Sequence, residues 1–173
     1  MKKSSWAIAL TTIIGISIGL LVQKADLRSW PKQNLGTDAS IAFPATPSPR
    51  PDKSIFQDET GETLYLETQG MLLAAEVHRL PSMFSGRAPD DILRTFRDRV
   101  THLFGGQVVT EIFGDRDGSR GLRLTLRKNT TILDSMLLLR DNQIYTWWVR
   151  APRVKTEEQS NTFDKFFTSF NRH

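Results

Sequence analysis

The feature that most constrains this chain is an uncharged apolar run near its start. Residues 6–22 carry no charged side chain, and Lys2 and Lys3 precede them. A helix of this length spans about 25 Å, close to the ~30 Å hydrocarbon core of a bilayer. The basic residues at the N-terminus favour a cytoplasmic start. We therefore predict a transmembrane anchor over residues 1–23, inserted through residues 6–22, with the rest of the chain on the far side.

An uncleaved anchor is preferred to a cleaved signal peptide, because no small-x-small cleavage pattern follows the apolar run. Within the run, Thr11, Gly15 and Gly19 are four residues apart and form a candidate helix-pairing face. The chain is expected to be a single-pass membrane protein with an extracytoplasmic domain. The membrane would be the cell membrane or, in a photosynthetic bacterium, the thylakoid.

The formal net charge of +4 belongs to the region around the anchor. Five of the 23 basic residues and one of the 19 acidic residues precede Asp38, so 18 of each sign follow from there on. A nucleic-acid-binding domain concentrates positive charge on one face. The neutral balance argues against nucleic acid as a partner, and the lack of cysteine excludes disulfides and thiol chemistry.

The chain after the anchor divides into a polar tether over residues 24–37 and one α+β domain over residues 38–173. Short runs of alternating apolar residues, separated by tight turns, predict antiparallel strands. These runs cover approximately residues 40–43, 53–58, 63–68, 71–80, 107–113, 120–127, 131–140 and 143–150. A turn is predicted from Gly114 to Gly118, after the fifth run.

Two helices are indicated by apolar residues at helical spacing. The first begins near Pro89 and ends at Gly105, with Ile92, Phe96 and Val100 on one face. The second has a capping-box spacing and an apolar stripe, comprising Thr156, Gln159, Phe163, Phe166, Phe167 and Phe170. The predicted fold is α+β: a mainly antiparallel sheet of about seven to eight strands, packed with two helices as an α/β/α sandwich.

A candidate partner surface lies on the last strands. Trp147 and Trp148 are adjacent, so they point to opposite faces of the sheet. Either both faces are covered, or one tryptophan is exposed. The strand over residues 120–127 has one apolar face and one polar face. Trp148, Arg123 and Arg127 are therefore the residues that we predict for a partner surface.

The sequence carries no recognisable catalytic or metal-binding pattern. Glu76 and His78 share a strand face, His102 lies on the first helix and His173 ends the chain. This spacing is not that of a metal-binding motif. The simpler interpretation is that each histidine is either hydrogen-bonded within the fold or exposed to solvent. The sequence contains no phosphate-binding glycine loop and no nucleophile elbow. We predict no catalytic residues, no cofactor and no metal.

Several short motifs together resemble the PsbP-like superfamily. They are Ile41-Ala42-Phe43-Pro44-Ala45-Thr46-Pro47, Phe104-Gly105-Gly106, Ile144-Tyr145 and Phe166-Phe167-Thr168-Ser169-Phe170. The likeness extends over about residues 38–171 and includes uncharacterised bacterial membrane-anchored relatives. Its best-known member type is an extrinsic subunit of the oxygen-evolving photosystem. The sequence departs from the relatives at Ser119-Arg120, where an Arg-Glu pair is usual.

The resemblance implies an antiparallel sheet between helical layers, and an accessory or assembly role rather than catalysis. No site residue is carried over from the family. The leading hypothesis is a membrane-tethered, non-catalytic accessory or protein-binding module that docks to a membrane protein complex. The alternatives are a small-ligand carrier with a pocket between sheet and helix, and an enzyme whose catalytic groups form no recognisable motif.

Overall fold

The folded part of the chain is built on a seven-stranded antiparallel sheet. A computed structural model describes residues 30–49, 61–116 and 118–172. The strands are β3 (Ser48–Pro49), β4 (Gly61–Thr68), β5 (Met71–Arg79), β6 (Gln107–Arg116), β7 (Ser119–Lys128), β8 (Thr131–Arg140) and β9 (Gln143–Pro152). Their order across the sheet is β3-β4-β5-β9-β8-β7-β6. Every neighbouring pair is antiparallel. Tight turns join β4 to β5, β7 to β8 and β8 to β9, and such short connections favour antiparallel pairing.

A small second sheet lies at the start and end of the domain. It consists of β1 (Lys32–Leu35), β2 (Ala39–Ala42) and β10 (Asn171–Arg172), in the order β1-β2-β10. Leu35 and Ile41 have no exposed surface. The tether predicted over residues 24–37 is therefore wrong at its C-terminal end. Residues 32–37 belong to the folded unit, since β1 pairs with β2.

Helix α1 (Pro89–Phe104) packs on one face of the large sheet. Ile92, Leu93, Phe96 and Val100 are buried against the leucines of β7 and β8. Proline at its first position has no backbone N–H to leave unsatisfied. The helix ends where Gly105 adopts a left-handed conformation with φ of 67°, which glycine tolerates without strain. A single 3₁₀ turn, Ser82–Phe84, leads into this layer.

Helix α2 (Glu157–Thr168) covers the opposite face. Its predicted capping box is present: Gln159 N–H donates to Thr156 Oγ1, and the Gln159 side chain accepts from the Thr156 N–H. Phe166 has no exposed surface. The ring of Phe170 stacks on Trp147, with centroids 4.2 Å apart and planes 6° from parallel. The aromatic stripe predicted from the sequence is thus a core stripe.

The predicted α+β class is confirmed, with seven strands in the main sheet and a helix on each face. The turn predicted over residues 114–118 begins later than expected, because Gly114 pairs with Gly121 and β6 continues to Arg116. The strand predicted over residues 53–58 and the anchor predicted over residues 6–22 lie outside the described residues. Within the described part of the chain, no helix is both long and apolar enough to cross a membrane.

Candidate functional site

Exposed apolar side chains are concentrated along one edge of the large sheet. Among the described residues, six large apolar side chains are exposed, and four of them lie on the last turn of α1 or on β6. These four are Leu103 (52% exposed), Val108 (45%), Val109 (55%) and Ile112 (56%). Single exposed apolar residues are ordinary, whereas several of them on one strand edge are typical of an interaction surface. This edge is the strongest candidate for a functional surface.

The backbone of β6 contributes to the same surface. In the sheet as described, β6 is the terminal strand and is hydrogen-bonded on one side only, to β7. The register shifts between Val108 and Thr110, so Val109 has no cross-strand partner. From Thr110 to Arg116 the pairing is regular. An edge strand turns alternate N–H and C=O groups outward, where they are available to another strand.

Basic side chains stand beside this edge on the face that carries α2. Arg123 lies directly across from Ile112, and Arg127 lies across from Gln107, on the same face of β7. Arg123 Nη2 donates to Asp134 Oδ2 at 3.1 Å, and its guanidinium lies 5.9 Å from the ring centre of Phe167. The hydrogen bond to Asp134 raises the pKa of Arg123. Arg127 is exposed.

We call this set the β6 edge surface: Val108, Val109 and Ile112 of β6, with Arg123 and Arg127 of β7. Part of the other face of β6 is covered by α1. Arg97 Nη1 donates to both carboxylate oxygens of Glu111, at 2.9 and 3.1 Å, and the guanidinium of Arg94 lies over Phe113. Val108 lies across from Leu126 on the α1 face, and Ile112 lies across from Arg123 on the α2 face, so the β6 edge surface includes both faces of the strand.

The structure does not bring together the three residues predicted for a partner surface. Trp148 is 6% exposed and lies on the α1 face, so it belongs to the core. Arg123 and Arg127 lie on the α2 face, because they alternate with the core residues Leu124 and Leu126. Trp147 and Trp148 are each covered by the helix that packs on their own face of the sheet. The predicted helix-pairing residues Thr11, Gly15 and Gly19 lie outside the described residues.

A buried polar cluster surrounds Glu76, which has no exposed surface. Trp148 Nε1–H donates to Glu76 Oε1 at 2.8 Å, and His78 Nε2 lies 3.0 Å from Glu76 Oε2. The imidazole packs against Gly61, where a β-carbon would come within 2.2 Å of His78 Nδ1. Position 61 therefore requires glycine. Glu76 lies between Thr63 of β4 and Thr146 of β9, which are both buried, so the cluster is part of the sheet interior on the α1 face.

Two clefts open at opposite ends of the sheet. One of about 680 Å³ lies beside Leu103, Lys128 and Arg150, and one of about 890 Å³ lies beside the start of α1. In the second, Arg120 Nε donates to Asp90 Oδ1 at 2.6 Å; this hydrogen bond holds the pKa of Asp90 below its ordinary value. Among the described residues, no three acidic or histidine side chains come together as a metal site.

Sequence reasoning missed the apolar part of the β6 edge surface. The run Gln107–Phe113 was predicted as a strand, but nothing in it shows that the strand ends the sheet. One signal was available: Val108 and Val109 are consecutive, and they break the alternation that an inner strand with one buried face would show. Arg123 and Arg127, by contrast, were correctly expected on the polar face of their strand.

Comparison with known proteins supports the fold. The chain resembles the solution structure of cyanobacterial PsbP (CyanoP) from Synechocystis sp. PCC 6803, with a TM-score of 0.56 at 13% identity. The match covers 78% of this chain and 86% of that one. A crystal structure of PA94 from Pseudomonas aeruginosa, a protein of unknown function, matches with a TM-score of 0.46 at 11% identity, over 81% of this chain and 94% of that one.

No family model matches the sequence, and no curated protein sequence matches it. The structural likeness to CyanoP shows that the domain has a PsbP-like fold, as the sequence motifs implied. A shared fold does not by itself define a function.

Proposed function

We propose that this chain is a membrane-tethered, non-catalytic accessory module that binds a protein partner. The observation that carries the proposal is the β6 edge surface, where exposed apolar side chains coincide with a strand edge to which no further strand of the described residues is paired. Such a surface is costly to leave in water and is typical of protein–protein contacts. The PsbP-like fold is consistent with an accessory role, since the resemblance implies one.

The second part of the proposal is that a membrane tether keeps the domain close to its partner. A domain confined near a membrane partner meets it at an effective concentration that reaches the millimolar range for short linkers. A weak interface can then remain occupied. The β6 edge surface suits such an interface, because it is a single strand edge with two cations rather than a large apolar face.

The alternative of a small-ligand carrier receives no support from the packing. The space between the sheet and each helix is filled by side chains with almost no exposure, such as Leu93 and Phe96 under α1, and Trp147 and Phe166 under α2. Both clefts lie at the ends of the strands, beside the first or the last turn of α1, and neither lies beneath the body of a helix.

Genetic complementation tests the proposal in a strain that lacks the gene. Ile112→Lys should abolish complementation, because it places a charge at the centre of the exposed apolar edge. Met83→Lys is the matched control, since Met83 is 73% exposed and lies away from β6. Equal complementation by both variants would contradict a role for this edge.

Anchor replacement tests the tether separately. An unrelated single-pass helix in place of residues 6–22 should restore function, whereas export of the domain without any anchor, at native abundance, should not. Full complementation by the untethered domain would contradict the tether.

A further inference from the structure

Exposed apolar side chains also occur at the end of the large sheet that contains the β7–β8 turn. Strands β4, β7 and β9 end there, and β5, β6 and β8 begin there. Val154, just after β9, is 86% exposed, and Leu103, on the last turn of α1, is 52% exposed. Neither residue lies in a strand, so neither can take part in strand pairing.

Basic side chains lie beside these two apolar residues. Arg150, near the end of β9, and Arg153, just after it, are both exposed. Among the side chains that the structure describes, neither guanidinium has a hydrogen-bond or ion-pair partner. Lys128 Nζ donates to Phe104 O at 3.2 Å, which uses one of its three N–H groups. This end of the sheet therefore presents cations that remain able to bind an anion.

The acidic side chains at this end lie to one side of the cations. Glu67 is two strands away from Arg150, since Leu72 of β5 lies between them in the sheet. Glu157 and Glu158 belong to the first turn of α2. The part of this end that runs from α1 to β9 is thus basic.

The opposite end of the sheet has a different arrangement. There the arginines are paired with carboxylates: Arg120 Nε lies 2.6 Å from Asp90 Oδ1, and Arg140 Nε lies 3.2 Å from Asp141 Oδ2. The domain carries balanced charge from Asp38 onward, but the arginines without a described partner, Arg150 and Arg153, lie beside exposed apolar side chains at the β7–β8 end.

The cleft of about 680 Å³ lies within the β7–β8 end. Leu103 and Phe104 of α1, residues 128–131 and Arg150 line it. None of the described residues that line this cleft is acidic. It therefore brings together an ammonium group, a guanidinium group and an exposed leucine. This combination suits an anionic group that is attached to an apolar chain, as in a phospholipid headgroup.

We propose that this end of the domain binds the surface of an anionic phospholipid membrane. The turn-end surface comprises Leu103, Lys128, Arg150, Arg153 and Val154. Its apolar side chains enter the interfacial region of the bilayer, and its cations contact lipid phosphates. A lipid surface fits better than an acidic protein, because no described partner fixes the two arginines in the arrangement that a rigid set of carboxylates requires.

This inference goes beyond the partner proposed for the β6 edge surface, since the two surfaces share no residue. Docking through the turn-end surface places one end of the strands on the membrane. The β6 edge then faces sideways, along the membrane surface, where neighbouring membrane proteins lie. Both surfaces can therefore be occupied at the same time.

A nitroxide label at the β7–β8 turn tests the docking. The chain has no cysteine, so Thr130→Cys gives the full chain a single labelling site. The labelled chain is reconstituted with vesicles of phosphatidylcholine alone, or of equal parts phosphatidylcholine and phosphatidylglycerol. In the anionic vesicles, the ratio of collisions with oxygen to collisions with a water-soluble nickel chelate should be at least threefold higher. A label at Met83→Cys, beyond the opposite end of β5, should give the same ratio in both.

Substitutions identify the groups responsible. Arg153→Glu and Val154→Asp should each remove at least half of the rise in the collision ratio, and Arg153→Lys should retain it. Arg79→Glu is the matched control, because Arg79 is exposed at the opposite end of β5 and undergoes the same change of charge. All four substituted residues are on the surface, so the urea midpoints should stay unchanged.

The inference is overturned by equal collision ratios in the two kinds of vesicle, or by equal losses in Arg79→Glu and Arg153→Glu. Inorganic phosphate that binds the full chain through Arg150, with no effect of the vesicles, would assign the cleft to a small anion instead. A protein crosslink from position 154 that Arg153→Glu removes, again with no effect of the vesicles, would assign the surface to a protein. Full complementation by Ile112→Lys would contradict the proposed function and leave the vesicle result unaffected, so the two failures are distinguishable.

Discussion

Removal of the Glu76 carboxylate is expected to destabilise the domain strongly. In Glu76→Ala, the Trp148 indole N–H and His78 Nε2 both lose a partner at hydrogen-bond distance, at sites that are 6% and 2% exposed. Leaving a buried polar group without its partner costs about 1–3 kcal/mol, so the two losses together amount to about 2–6 kcal/mol. That is a large share of a total stability of about 5–15 kcal/mol.

Glu76→Gln separates hydrogen bonding from packing in this cluster. The amide keeps an oxygen for the indole N–H and an NH₂ group for the imidazole, so the expected loss is under about 1.5 kcal/mol. Urea unfolding of the domain from residue 30 onward measures both variants. With a slope of about 2 kcal/mol per molar, Glu76→Ala should lower the midpoint by about 1–3 M. A loss under about 1 kcal/mol for Glu76→Ala, or an equal loss for Glu76→Gln, would refute the reasoning.

Three further predictions concern the packing and the acid stability. Phe166→Ala should lower the free energy of unfolding by about 3–5 kcal/mol, because the side chain is fully buried. Urea unfolding measures this loss. A loss under about 1 kcal/mol would contradict the packing of α2. A protein of residues 38–173 lacks β1, so its thermal unfolding should occur below that of residues 30–173; equal midpoints would contradict a structural role for β1. The lowered pKa of Asp90 stabilises the fold above its ordinary value of 3.8, and this contribution is lost as the pH falls through the folded value. Arg120→Gln should therefore make the loss of stability below pH 4 shallower in urea titrations, and an unchanged acid limb would contradict the ion pair.

Elements that depend on local pattern were predicted well. The capping box at Thr156, the aromatic stripe around Phe166 and the glycine stop at Gly105 all involve residues within one or two helical turns. The interactions that form these elements are made between residues close together in the sequence, so the sequence is sufficient to predict them. The same holds for the alternation of Arg123 and Arg127 with core leucines on β7.

Features that depend on long-range pairing were not predictable in the same way. The four residues of β1 are mostly polar and show no clear alternation, and they form a strand because β2 pairs with them. Trp147 and Trp148 are equivalent in the sequence, and only the positions of α1 and α2 decide that both are covered. The place of β6 at the end of the sheet follows from the strand order, which tertiary packing sets.

The most direct test of the account is photo-crosslinking in native membranes. The full chain, with benzoylphenylalanine at position 112, should form one discrete adduct with a protein partner. The same probe at position 83 should not form it, since Met83 is exposed but lies away from β6. Equal adducts from both positions, or no adduct from position 112, would contradict the account.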